Sequence, residues 1–342
     1  MITFIVFMSI VFFVLVLLFV SLAFYVGGDY AFSKEKMQII RAVIPAVIVL
    51  HHCALYFDVE ALCPLKCAGN YLVSVFFFIS GYGVESAINN KASYLTSFWK
   101  KRGLSIMIPY IISLVLYFVV YILIHGGQFN FKNDIVDNFK NGGTFLPYSW
   151  FVYVIIICYF VFYVCHRYFF SCKVSMLFET AILLFVALSM WLLDMGHWWY
   201  NKILVFALGG WFYLWEPFLR NIFRGHRASF YISIICLVII SFILSIGNKG
   251  YLLPVSLLFF SAAVYFCISL IPWTANRNKI IIFLSSISYE IYLVQGIVLY
   301  LLRGPVLYIA NDMIFILLSI INIVLLALGV HKISELCHKY LL

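Results

Sequence analysis

The chemistry-bearing residues with the clearest spacing are Arg41 and His52, which stand eleven positions apart in an apolar stretch. Eleven residues of α-helix make about three turns plus 20° and rise about 16 Å, so both side chains lie on one helical face. A neutral imidazole accepts a proton from a hydroxyl near neutral pH, and a guanidinium binds anionic groups. The spacing therefore predicts a base and a cation at two depths of one polar stripe; hydrogen bonding to neighbouring helices is the structural alternative.

The composition indicates that membrane-spanning helices position this stripe. The chain has 342 residues, 65% of them apolar and 10% charged, with a mean hydropathy of +1.08. A water-soluble domain of this size is excluded by that composition, and the connections are too short for a separate extramembrane catalytic domain. Apolar runs of transmembrane length predict eleven spans: 2–26, 38–57, 71–88, 104–124, 150–165, 175–194, 203–219, 229–246, 251–271, 280–301 and 313–333.

The distribution of lysine and arginine predicts the orientation of these spans. Connections on one side, together with the C-terminal tail, carry fifteen Lys and Arg residues, and connections on the other side carry six. By the positive-inside rule, the N-terminus is then outside and the C-terminus is cytoplasmic. The segment 2–26 is interpreted as a retained helix, because no Lys or Arg precedes it and it is longer than the apolar region of a signal peptide.

The candidate carboxylates within predicted spans, where an ionisable group needs a partner or water, include Glu85, Glu216 and Glu290. The topology places Glu85 at the depth of Arg41 on the neighbouring helix, which makes it a candidate ion-pair partner. Glu216 is expected nearer the interface and solvated. Glu290 lies about 15 Å into its helix; it is protonated, pairs with His51 or His52, or orients the imidazole, and the sequence does not choose.

The spacing of Arg41 and His52 resembles the Arg-x10-His signature of acyltransferase family 3, the integral membrane acyltransferases that modify sugars of cell-surface polysaccharides and related acceptors. Further segments resemble family motifs in the same order: Phe76-Phe77-Phe78-Ile79-Ser80-Gly81-Tyr82, Lys100-Lys101-Arg102 with Ile108-Pro109-Tyr110, Ser149-Trp150-Phe151, and Ser288-Tyr289-Glu290-Ile291-Tyr292-Leu293-Val294-Gln295. Gln295 departs from the His that many members carry, and Ser105 stands where a second basic residue often follows.

The resemblance implies an all-α polytopic membrane protein, with a ten-helix acyltransferase-like domain over residues 37–342. Residues 1–36 then form one extra N-terminal transmembrane helix and its connection. The implied activity moves an acyl group, usually acetyl, from cytoplasmic acetyl-CoA or another acyl-CoA across the cell membrane. The acceptor would be a hydroxyl of a cell-surface or lipid-linked glycan, and the donor would be the only co-substrate, with no metal.

The resemblance and the chemistry of the residues together give a set of candidate site residues. His52 is the expected general base, with Arg41, Ser80 and Glu290 completing the catalytic group. The cations expected to bind the phosphates of the donor are Arg41, Lys100, Lys101 and Arg102. The residues expected to line the substrate cavity are Tyr82, Trp150, Tyr289, Tyr292 and Gln295.

Other interpretations of the same features remain open. Intramembrane charges also mark secondary transporters and flippases, although no two halves of matching hydropathy are present. A polymerase or ligase of surface polysaccharides would also have many spans, and it would need no CoA. Cys63-x3-Cys67 has spacing compatible with zinc, but a disulfide or free thiols are simpler on the predicted outer side.

Overall fold

A computed structural model describes residues 33–57, 63–91, 93–124, 143–169, 171–223, 226–246, 252–269, 278–304 and 307–341. Every regular element of this part of the chain is a helix, which confirms the all-α prediction. The predicted first span, 2–26, and most of the connection 125–149 lie outside the described residues. The division into segments 1–36 and 37–342 therefore stays a prediction.

Twelve helices are numbered here in chain order within the described residues. Each of the ten spans predicted from 38–57 onward coincides with helical structure, and most bounds differ by a few residues. The helix that begins at Cys63 starts eight residues before the predicted span 71–88, and the helix that ends at Leu341 extends eight residues past the predicted span 313–333. The helices are α1 Lys34–Ala54, α2 Cys63–Asn90, α3 Leu104–Ile124, α4 Trp150–Tyr168, α5 Cys172–Leu192, α6 His197–Tyr200, α7 Ile203–Phe223, α8 Arg227–Ile246, α9 Leu253–Ser269, α10 Lys279–Ser286, α11 Ser288–Leu302 and α12 Asp312–Leu341.

Length and hydropathy qualify fewer of these helices as spans than the sequence predicts. Six described helices are long and apolar enough to cross a membrane, and α10 and α11 count as a seventh if they form one broken span. Large apolar side chains such as Leu123, Leu192 and Leu317 are exposed on the outer helices α3, α5 and α12. This pattern is typical of surfaces that face lipid. The count of eleven spans and their orientation stay predictions.

The predicted span 280–301 is not one continuous helix, because the structure divides it into α10 and α11 with a bend of 64°. The hydroxyls of Ser285 and Ser286 donate to the carbonyls of Ile282 and Phe283 in the preceding turn. Serines that bond to the local backbone compete with continued helix formation. Hydropathy averaged over a window does not detect such a local break.

Helix α1, which carries Arg41 and His52, lies between two apolar cores. Ile40, Ile44 and Ile48 repeat every four residues and pack in the larger core, with residues of α2, α4, α7 and α9. Val49 and Cys53, on another side of the helix, pack with α11 and α12 in the second core. Because apolar contacts fix α1 on both sides, the stripe with Arg41 and His52 has a set direction.

Helices α2 and α7 approach closely at two glycines. A Cβ atom added to Gly81 would overlap the Phe206 carbonyl oxygen, and one added to Gly209 would overlap the Phe78 carbonyl oxygen. Small residues let the backbones of membrane helices approach in this way. Gly81 therefore serves the close packing of α2 on α7.

Contacts between helix ends define two ends of the bundle. At the end that we call the Arg41 end, the Lys36 ammonium donates to the Ser269 carbonyl (2.6 Å), which joins the start of α1 to the end of α9. At the opposite His52 end, His51 Nδ1 donates to the Leu65 carbonyl (2.8 Å), which joins α1 to the start of α2. The polar stripe of α1 thus runs from one end toward the other.

The glycine contact between α2 and α7 predicts unequal effects at two nearby positions. Gly81→Ala should lower the thermal unfolding temperature in detergent, because overpacking at rigid backbone costs about 1–3 kcal/mol. Gly83→Ala is the matched control, since an added Cβ there meets no described atom within 4 Å. Equal unfolding temperatures for the two variants would contradict the close approach.

Candidate active site

A cavity of about 740 Å³ opens at the His52 end of the bundle; we call it the His52 cavity. Its walls come from α1, α2, α3, α4, α6 and α11 and from the segment before α4. Five tyrosine or tryptophan rings and three imidazoles line it, with amide, hydroxyl and amine groups between them. The lining includes His51, His52, Lys66, Asn70, Tyr117, Thr144, Tyr148, Trp150, His197, Trp198 and Tyr292.

The His52 ring is oriented by stacking. Its centroid is 4.1 Å from that of Tyr148, at an interplanar angle of 29°, and 4.7 Å from that of the His51 ring, which is tilted by 56°. Its Nδ1 is buried and has no hydrogen-bond partner among the described residues. The expectation that Glu290 pairs with or orients this imidazole, or pairs with His51, is wrong; the two neighbouring rings fix its plane.

Tyr148 adopts a backbone conformation that non-glycine residues rarely take, with φ at +63°. Such strain persists where the surrounding structure holds it, and it concentrates at functional sites. Gly296 on α11 makes room for this segment, because a Cβ there would lie 2.7 Å from the Pro147 Cβ and 3.2 Å from the Tyr148 ring. The sequence signal was the glycine after Gln295, which the sequence analysis did not use.

A second cavity, of about 290 Å³, lies toward the Arg41 end; we call it the Arg41 cavity. Arg41 and Arg102 both line it and repel each other electrostatically. Arg102 Nε donates to the Tyr94 hydroxyl at 3.2 Å, but neither guanidinium forms an ion pair with a described carboxylate. The hydroxyl-bearing residues of the lining are Ser80, Ser105, Tyr159, Ser285, Ser286, Ser288, Tyr289 and Tyr292.

The basic segment before α3 contributes one of its three cations to this cavity. Residues Trp99–Gly103 form a π-helical turn that opens α3, and it directs Arg102 inward. Lys100 and Lys101 are exposed and do not line the Arg41 cavity. The structure therefore separates Arg102 from the two lysines with which the sequence grouped it.

Glu290 lines the Arg41 cavity and pairs with a histidine of the last helix. Its carboxylate lies 2.8 Å from His331 Nδ1, and His331 Nε2 lies 3.5 Å from Glu335. His331 is not among the residues predicted from the sequence, because it falls near the end of the last predicted span, next to the charged tail. The ion pair between Glu290 and His331 links α11 to α12 beside the Arg41 cavity.

Two residues expected in the substrate cavity line neither of these cavities. The Tyr82 hydroxyl donates to the Glu216 carboxylate, which also pairs with Arg220; Glu216 is buried, so its predicted solvation is wrong. Gln295 is fully buried, and its amide has no hydrogen-bond partner within the described chain. Both side chains are buried away from the two cavities, and the expectation that Tyr82 and Gln295 line a substrate cavity stays a prediction.

The predicted ion pair between Arg41 and Glu85 is also wrong. The Glu85 carboxylate lies 2.9 Å from His166 Nε2 on α4, and His166 Nδ1 lies 3.8 Å from Glu179 on α5. All three side chains are buried. This cluster ties α2, α4 and α5 together and leaves Arg41 without a carboxylate partner among the residues that the structure describes.

A buried lysine supports the wall of the His52 cavity, and the sequence analysis did not single it out. Lys202 is 1% exposed, and its ammonium donates to the Asn70 amide oxygen at 2.6 Å. It also lies 4.5 Å from the centre of the Trp150 ring. Because Asn70 and Trp150 both line the His52 cavity, Lys202 holds two side chains of the cavity wall in place without lining the cavity itself.

The two cavities share one described residue, Tyr292. Arg41 and His52 therefore face two adjacent cavities rather than a single one. Trp150 lines the His52 cavity, and Tyr289 lines the Arg41 cavity. In the described part of the chain, no group of three or more His, Cys, Asp or Glu side chains could hold a metal ion.

The burial of Lys202, which lies in the turn before α7, predicts a pH-dependent stability. Burial lowers the pKa of its amine from 10.5 to about 7, so between these values the unfolded chain binds a proton that the folded chain lacks. Stability should therefore rise with pH from about 7 to 10. In Lys202→Met, the rise in unfolding temperature over this range should be smaller than in the unchanged protein. Parallel curves for the two proteins would contradict this assignment.

Comparison with known protein families gives a match to the acyltransferase domain family Acyl_transf_3 over residues 35–331. Comparisons with curated proteins and with solved structures give no match. The matched range includes both cavities and ends at His331, the partner of Glu290. The resemblance inferred from the motifs is thereby confirmed, and the chain belongs to this family of membrane acyltransferases.

Proposed function

We propose that the protein transfers an acyl group from acyl-CoA, bound in the Arg41 cavity, to a hydroxyl of a glycan or lipid-linked sugar in the His52 cavity. The observation that carries this proposal is the pair of guanidinium groups, Arg41 and Arg102, which face one cavity without a carboxylate partner among the described residues. Two such charges in a low-dielectric site are costly unless an anion binds between them. The adjacent cavity supplies the imidazole that the reaction needs.

The donor end of this proposal rests on charge and hydroxyl groups. Coenzyme A carries several phosphates, and arginine forms strong charge-assisted hydrogen bonds with phosphate oxygens. Ser285, Ser286 and Ser288 at the break between α10 and α11 add hydroxyl donors. The positive-inside rule predicts that the Arg41 end is cytoplasmic, where CoA thioesters occur. We propose that the acyl group is acetyl.

The acceptor end rests on the His52 cavity. Its volume of about 740 Å³ is within the range of about 300–1,000 Å³ for small-molecule sites. Rings such as Trp150 and Trp198 offer flat amphipathic surfaces to a sugar. The predicted topology places this cavity outside the cell, so that transfer crosses the cell membrane.

The proposed reaction is a direct transfer. A nitrogen of His52 removes the proton of the acceptor hydroxyl as its oxygen attacks the thioester carbonyl. The carbon–sulfur bond then breaks, the ester forms, and the thiolate of CoA leaves and takes up a proton. Ser80, which lines the Arg41 cavity, is placed to donate to the carbonyl oxygen as negative charge develops there.

Glu290 is proposed to act on the donor side rather than on His52. Its carboxylate lines the Arg41 cavity and is held by His331 on α12. A carboxylate at the same cavity as two arginines reduces the net positive charge there. Because Glu290 is paired with His331, its carboxylate is kept from forming an ion pair with either guanidinium. Tyr289, whose hydroxyl donates to the Ile106 carbonyl at 3.1 Å, forms part of the same wall.

A transporter or flippase is the second candidate, and the bend of 64° between α10 and α11 favours it. Broken helices mark substrate sites in secondary transporters. Purified protein in detergent distinguishes the two, because an acyltransferase releases CoA from acyl-CoA without a membrane gradient. Absence of both CoA binding and thioester cleavage would favour the transporter.

The first test compares two neighbouring cations of the segment before α3. Arg102→Ala should weaken CoA binding about tenfold or more, because a charge-assisted hydrogen bond is worth about 1.5–3 kcal/mol. Lys101→Ala is the matched control and should change binding by less than about twofold, since an exposed cation contributes little. Binding is measured as the CoA-dependent rise in unfolding temperature. Equal losses in the two variants would contradict a donor site in the Arg41 cavity.

The second test compares the two adjacent histidines. His52→Gln should lower kcat for acyl transfer by about 10² or more, the contribution of a general base, with CoA binding retained. His51→Gln should have a smaller effect, because His51 Nδ1 already donates to the Leu65 carbonyl. Full activity of the His52 variant would remove His52 from the mechanism.

A further inference from the structure

We propose that Tyr292 separates the acyl donor from the acceptor and limits the length of the acyl group that reaches His52. The inference rests on the proposed function and goes beyond it, since it assigns acyl-chain selectivity to one side chain. Tyr292 lines both cavities, and no other residue in the described part of the chain does so.

The two cavities lie end to end along the same helices. On α2, Val73 lines the His52 cavity and Phe76, about one turn further, lines the Arg41 cavity. On α4, the consecutive residues Trp150 and Phe151 divide in the same way. The boundary is therefore only about one helical turn thick, and Tyr292 on α11 completes it.

The ring of Tyr292 is held at this boundary by a hydrogen bond and by an aromatic contact. Its hydroxyl donates to the Tyr148 carbonyl oxygen, and the Phe151 ring packs edge-on against it with centroids 5.5 Å apart. Tyr292 is 6% exposed, so little space remains beside it. A close-packed wall of this kind transmits small displacements but excludes added methylene groups.

The same contacts connect the barrier to the base. Tyr148 accepts the hydrogen bond of Tyr292 through its carbonyl and stacks its ring on His52. In the proposed reaction, the carbonyl of an acyl group that enters past Arg41 meets the hydroxyl activated by His52 at the boundary between the cavities, so the alkyl chain of that group has to displace the Tyr292 ring. A two-carbon group requires the least displacement of this ring, and each further methylene requires more.

The test measures acyl-length selectivity with water as the acceptor. Purified protein in detergent is supplied with acetyl-CoA, butyryl-CoA or hexanoyl-CoA; water attacks the thioester carbonyl, and the free carboxylic acid and the CoA thiol are released, the thiol being measured with a thiol reagent. The unchanged protein should prefer acetyl-CoA. In Tyr292→Ala and Tyr292→Leu, the ratio of kcat/KM for hexanoyl-CoA to that for acetyl-CoA should rise about tenfold or more, within the range that one methylene can contribute to selectivity.

Two control variants separate the barrier from general loosening. Tyr292→Phe retains the ring and should keep the selectivity within about threefold of the unchanged protein. Tyr110→Ala removes the same ring from a residue that is also 6% exposed but lines neither cavity, so its selectivity should not change. Tyr292→Leu keeps an apolar side chain at the contact in case the alanine variant fails to fold.

The outcomes distinguish this inference from the function on which it depends. If the unchanged protein cleaves acyl-CoA but the Ala and Leu variants keep its selectivity, the inference is wrong and the proposed function stands. The inference is also wrong if Tyr110→Ala relaxes selectivity as much as they do. If the unchanged protein neither binds CoA nor cleaves any thioester, both proposals are overturned.

Discussion

The need to compensate charge in an apolar bundle governs the arrangement of the site. Glu85, Glu216 and Glu290 each contact a basic partner on the same or another helix. Arg41 and Arg102 differ, because their guanidinium groups face a cavity without an ion-pair partner among the described residues. Burying an uncompensated cation is expensive. In the part of the chain that the structure describes, the positive charges of these two arginines are therefore compensated only when an anion binds in the cavity. The proposed donor site follows from this difference.

The scaffold makes the two cavities adjacent. Helix α1 is fixed by one apolar core on each side, and the close glycine contact between α2 and α7 sets the position of α2. Helices α1, α2, α4 and α11 each line both cavities. Arg41 and His52, which are eleven residues apart on α1, therefore face two adjacent cavities. The distance between Arg41 and His52 is thus a property of α1 alone. That they face separate cavities depends on the aromatic rings contributed by the neighbouring helices.

The His52 end shows how a base can be positioned without a carboxylate. The His52 ring contacts the rings of His51 and Tyr148, and Tyr148 is held with positive φ against the space left by Gly296. Burial raises the pKa of the Tyr148 phenol, which lies before α4, so this ring stays neutral beside the imidazole. A stacked arrangement fixes the plane of the ring and leaves its nitrogen atoms available for proton transfer.

The sequence by itself determined where the helices lie, that Arg41 and His52 share a face, and the family, because these properties depend on local periodicity and spacing. The tertiary structure alone decided which partners the acidic groups have and which members of a motif reach a cavity. Arg102 enters one while Lys100 and Lys101 do not, and Tyr82 and Gln295 are buried away from both cavities. Spacing fixes the phase of a residue on its own helix, but a partner depends on the rotation and depth of other helices, which contacts distant in sequence set.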